Sequence, residues 1–126
     1  MFKINEDKSF YLTRGDIAIF TISAKKLSGN QHQFQIGDII RFKVFEKKDC
    51  KCVVIQKDIE IEEATTSVVM TLEKEKTKIG DIISKPKDYW YEVELNPDTA
   101  PQTIIGYDED GAKLFKLFPE GSDINV

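Results

Sequence analysis

Apolar residues along this chain alternate with polar ones far more often than they recur at helical spacing, and alternation is the mark of strands buried on one face. "IAIFTIS" (Ile17 to Ser23) puts Ala18, Phe20 and Ile22 on one face. "IIRFKVFE" (Ile39 to Glu46) sets Ile40, Phe42 and Val44 against Arg41 and Lys43. "CVVIQKDIEI" (Cys52 to Ile61) groups Val53, Ile55, Ile59 and Ile61, with Lys57 interrupting the row, which predicts a bulge, an edge or two pieces there. "TTSVVMTLE" groups Val68, Met70 and Leu72, and "DYWYEVELN" groups Tyr89, Tyr91, Val93 and Leu95, with Trp90, Glu92 and Glu94 opposite.

A short early strand is expected in "SFYLT" (Ser9 to Thr13), and "QTIIGYD" with "AKLFKLF" reads as a final hairpin around "DEDG". The total is about seven or eight strands with turn signals at short intervals, the signature of an antiparallel sandwich or barrel. The best helical candidate, "EKEKTKIG" (Glu73 to Gly80), has no apolar stripe and predicts at most a turn or two. No long helical pattern is present to cross between parallel strands, so a doubly wound fold is disfavoured. The stretch "AKKLSGNQHQFQ" (Ala24 to Gln35) reads as a long loop or a short hairpin.

Three Gly-Asp pairs punctuate the pattern: Gly15-Asp16, Gly37-Asp38 and Gly80-Asp81. Their flanks diverge after the turn, so shared geometry explains them better than duplication. Gly accepts positive φ and Asp hydrogen-bonds the nearby backbone, so together they turn a chain before a strand. Asp110-Gly111 reads the same way. Arg14-Gly15-Asp16 has the letters of an adhesion tripeptide, but it runs directly into an apolar strand, and a turn is the expected reading. Arg14 itself is left as a candidate surface contact.

The chain's 126 residues suit one domain, with the core expected over about 9–118 and a tail over 119–126. At 40% hydrophobic and 32% charged the composition is globular. A net charge of −4 with interspersed signs supplies no strong positive field, so neither nucleic acid nor a membrane surface is an expected partner. No apolar run approaches a membrane span and "MFKINEDKSF" shows no secretory signal, so synthesis in the cytoplasm is expected, with later incorporation into a particle left open.

Candidate chemistry is sparse. Cys50 and Cys52 read as free thiols, since zinc would need further ligands and His32 is the only histidine. His32 in a polar loop is a poor basis for a nucleophilic triad. The acidic turn Asp108 to Gly111 lacks the spacing of a calcium loop. No cofactor and no catalytic residue is expected. An outward Trp90 beside Glu92 and Glu94 leaves three readings open: packing, a subunit contact, or stacking on a sugar.

The order of features, "FYLTRGD", then "IGDIIRFKV", then a charged turn ending in Gly, then "YWYEVEL" and a terminal "TII", resembles the small β-sandwich domains of tailed phages and prophages of Gram-positive bacteria, of the baseplate upper protein N-terminal type. The resemblance spans about Phe10 to Phe118. It implies an immunoglobulin-like sandwich without catalytic residues that docks onto other tail proteins or onto itself as a homo-oligomer. Outward aromatics and turn residues are then the candidate contacts: Trp90, Tyr107, Phe115, Arg14 and Asp16. A small carbohydrate- or ligand-binding module is the alternative.

Overall fold

A computed structural model of the protein describes residues 1–25, 28–49, 51–80 and 83–121. It is an all-β sandwich, in chain order β1 (Phe2–Ile4), β2 (Phe10–Thr13), β3 (Ala18–Ile22), β4 (Ile39–Lys47), β5 (Lys51–Glu60), β6 (Val68–Leu72), α1 (Lys74–Thr77), β7 (Lys87–Leu95), β8 (Gln102–Ile105) and β9 (Lys113–Phe118). The one helical segment falls inside Glu73 to Gly80, as its composition predicts.

Seven strands form one sheet in the order β1-β2-β9-β7-β4-β5, and β8 continues alongside β7 beyond the end of β9. The second layer is the two-stranded sheet β3-β6. Alternation places the inner faces as expected. Ala18, Phe20 and Ile22 meet Val68, Met70 and Leu72 in register, and these pack over Ile40, Phe42, Val44, Tyr89, Tyr91 and Val93. Phe10 sits at the centre of an aromatic cluster, 4.6 Å from Tyr91, 5.0 Å from Phe20 and 5.7 Å from Phe115, measured between ring centroids. Offset and edge contacts of this kind add to the area that the rings bury.

The structure departs from the sequence-based expectation in four places. A strand at Phe2–Ile4 pairs with β2. The β2-β9 pair is parallel, in an otherwise antiparallel arrangement, because the first and last strands meet side by side with Phe10 opposite Phe115. β8 and β9 share no ladder: the turn at Asp108 and Gly111 makes a single bridge, and both strands line up along β7 instead. The bulge lies between Val44 and Phe45, opposite Val53 to Ile55, while at Lys57 the edge reading holds, since β5 is the last strand of the sheet.

The place of Lys57 and that of the bulge each have a physical cause. Lys57 stays in register opposite Phe42 because β5 is an edge strand, and its ammonium reaches the Glu73 carboxylate 2.7 Å away, just past β6. This ion pair links the two sheets. The bulge rotates Val53 out of the core row, so Ile55 and Ile61 are buried while Val53 is exposed.

Candidate functional site

The outer face of the large sheet carries Trp90. Its direct neighbours across β4 and β9 are Phe45 and Leu114, and Val53 lies beyond Phe45 on β5. These four form an apolar row across four strands on the side away from the core. Trp90 is half-buried in it, while Phe45 is only 3% exposed and belongs to no part of the core cluster. Cross-strand neighbours on one face stand about 5 Å apart at Cβ, so Trp90 and Phe45 shield one another.

Charges surround the row in pairs. Lys43 Nζ is 3.1 Å from Glu94 and 3.7 Å from Glu92, and sits 5.9 Å above the Phe45 ring centroid. Arg41 grips both oxygens of Asp58 at 2.9 Å and also reaches Asp98 at 3.0 Å. Arg41 holds the Asp58 carboxyl below its ordinary range by donating these hydrogen bonds. Glu92 moves the other way: partial burial raises its pKa, the nearby Glu94 raises it further, and Lys43 offsets part of the shift. Each of these two cations is thus shared between two carboxylates of the same molecule. The flat, half-covered Trp90 has no second exposed ring beside it; among the described residues Tyr107, on the β8-β9 connection, is the one aromatic side chain with most of its surface exposed.

The Gly-Asp turns act as structural ties. Gly15 has φ +87° and Gly37 has φ +92°, which an L side chain rarely adopts. At the first turn Arg14 points inward and is only 7% exposed. Its Nε donates to the Ile79 carbonyl and its terminal nitrogen to the Gly80 carbonyl, each at 3.0 Å. The Thr77 hydroxyl donates to the Asp16 carbonyl at 2.7 Å. Arg14 thus braces the segment after α1, which corrects its assignment as a surface contact and removes the adhesion reading. The Asp16 carboxylate is half-exposed and pairs with the Met1 amino group.

At the second turn Asp38 accepts from the Gln35 amide at 2.8 Å and from the Asn96 side chain at 3.1 Å, and Asn96 in turn accepts from the Ile39 amide at 2.8 Å. These bonds fix where β4 starts relative to the end of β7. Gly80 has φ +68°; Asp81 lies outside the described residues. At the last turn Gly111 has φ +95°, the Asp110 amide donates to the Asp108 carboxylate, and Lys113 pairs with the same carboxylate at 2.7 Å. That ion pair holds Asp108 below the ordinary carboxylate range.

Phe115 is fully buried, which corrects its assignment as an outward contact. It stands opposite Tyr89 on β7 and Phe10 on β2, both inward, so the β9 register turns it into the core and leaves Leu114 and Lys116 outward. His32 is half-buried, with its ring against Phe34, and lines a cleft of about 440 Å³ with Lys25, Gln102 and Ile104. Cys52 is an exposed free thiol at φ +61°, and Cys50 lies outside the described residues. No cluster of three metal-ligating side chains occurs among the described residues. No helix is long and apolar enough to cross a membrane among them.

The surface that sequence reasoning missed is the outer face of the β3-β6 sheet. Ile19 and Val69 are each 61% exposed, and Ile17 extends the row where the chain enters β3. Ile17 to Ala24 and Ala64 to Leu72 contain no charged residue, in a chain that is 32% charged. The edges β1 and β5 of the large sheet carry Lys3, Lys51, Lys57 and Asp58, the usual guard against edge pairing. The small sheet has no such guard. Its signal was present in "IAIFTIS", where the outward positions between Ala18, Phe20 and Ile22 are themselves isoleucines.

No protein-family model, curated protein or solved structure matches this chain.

Proposed function

We propose that the protein is a non-enzymatic structural or assembly component of a phage or prophage tail, working through protein-protein contacts. The order of its turn and strand motifs, which resembles baseplate-type sandwich domains, supports that reading. The observation that carries it is the uncharged, apolar outer face of β3-β6, with Ile17, Ile19 and Val69 in water. Exposed apolar faces without charged guards mark contact surfaces, because leaving them in water costs free energy that a partner recovers.

In this reading the large sheet is a rigid support. Its outer charges are paired and its turns are tied by Arg14, Asp38 and Asn96. The small sheet presents the contact. The test is co-expression with the tail proteins encoded beside it. The wild type co-purifies with at least one of them, and Ile19→Lys loses that association while melting at the same temperature. A wild type that associates with none of them would overturn the proposal.

A further inference from the structure

We propose that the partner seated on the β3-β6 face is a second copy of this chain, packed face to face across a two-fold axis; this rests on the contact-face reading above. The register supplies the argument. Ile19 stands opposite Thr71, Thr21 opposite Val69, and the inward pair Phe20-Met70 lies between them. The outer face is thus a quartet with Ile19 and Val69 on one diagonal and Thr21 and Thr71 on the other.

An antiparallel pair has a local two-fold axis perpendicular to the sheet, and about the Phe20-Met70 centre that axis exchanges Ile19 with Val69 and Thr21 with Thr71. The exchange is of like for like: branched aliphatic for branched aliphatic, threonine for threonine. A second copy turned over about the Ile19-Val69 diagonal sets its Ile19 on Ile19, its Val69 on Val69, and its Thr21 on Thr71. Apolar groups meet apolar groups and hydroxyls meet hydroxyls. This is the self-complementarity that an isologous interface requires.

Charge selects the same arrangement. Each copy carries −4, so two copies repel at long range. Contact is least costly where neither surface carries charge, and both strands of this sheet are uncharged throughout. Three aliphatic side chains with a threonine border make a small interface, so the dimer is a weak one that forms with rising concentration.

Sedimentation equilibrium over a micromolar to near-millimolar series tests this with wild type, Ile19→Lys, Val69→Lys and Val53→Lys. The wild-type mass rises from one chain of 14.4 kDa toward twice that value. Val53→Lys, on the far sheet, follows the wild type. Ile19→Lys and Val69→Lys stay at one chain at every concentration, with unchanged circular dichroism. Because both positions point to solvent, either variant suffices if the other misfolds. A wild type that stays at one chain throughout overturns the inference, as does an Ile19→Lys protein that dimerises like the wild type. If the wild type is monomeric but Ile19→Lys still loses its tail partner, the second copy is rejected and the contact face stands. If Ile19→Lys also keeps that partner, both are rejected.

Discussion

Trp90 and Phe45 stand directly opposite one another on β7 and β4, on the side of the large sheet that faces away from the core, and Phe45 is nonetheless buried. Trp90 flanks it on β7 and Val53 on β5, with the Lys43 ammonium over its ring. Trp90→Ala therefore exposes Phe45 and lowers stability by about 2 kcal/mol, less than a fully buried tryptophan would cost. Denaturant unfolding checks this. Trp90→Phe should recover most of the loss, because area is what the position supplies.

Arg14 is buried and donates to two carbonyls, so its removal leaves the Ile79 and Gly80 oxygens without those donors. Arg14→Ala is expected to cost about 2–3 kcal/mol, since hydrogen bonds from charged donors are the stronger kind. Arg14→Lys should recover less than half, because an ammonium does not reproduce the forked geometry. Thermal melts of the three proteins provide the comparison.

Glu92 has a raised pKa because it is partly buried and lies near Glu94. For such a carboxyl the folded state binds its proton more tightly than the unfolded chain. The cost of ionising it is absent below about pH 4.5 and sets in as pH rises through the raised folded value. Glu92→Gln should therefore stabilise the protein at pH 7 by roughly 0.5 kcal/mol. The gain should vanish as pH falls toward 4.5, where wild type and variant melt together.

Asp58 behaves oppositely. The Arg41 hydrogen bonds lower its pKa, so its contribution is fully present above about pH 3.8 and is lost as pH falls through the folded value. The pair is partly exposed to solvent, which limits Asp58→Asn to a loss of no more than ~1 kcal/mol at neutral pH. High salt should shrink that difference. Paired urea titrations at low and high ionic strength measure both.

Most of the framework was legible in the alternation of apolar residues, because a strand packed on one face writes its burial into the sequence with period two. Tyr89, Tyr91, Val93 and Leu95 are buried as that rule requires. The rule failed where pairing depends on a distant strand. Phe115 turns inward because it stands opposite Tyr89 and Phe10, and nothing in "AKLFKLF" alone specifies which face meets the core. Val53 leaves the core row because the bulge is placed by the fit of β4 to β5. Arg14 was unreadable for the same reason: its carbonyl partners lie more than sixty residues away. The face formed by Ile19 and Val69 was half legible, since the sequence shows both residues but not that they share one uncovered side.

The central claim is that contact runs through the β3-β6 face and not through the Trp90 face. One pull-down with the proteins encoded by the flanking genes separates them directly, comparing Ile19→Lys with Trp90→Ala. The account predicts that Ile19→Lys abolishes association and Trp90→Ala leaves it at the wild-type level. Loss of association in Trp90→Ala, with Ile19→Lys unaffected, would contradict it.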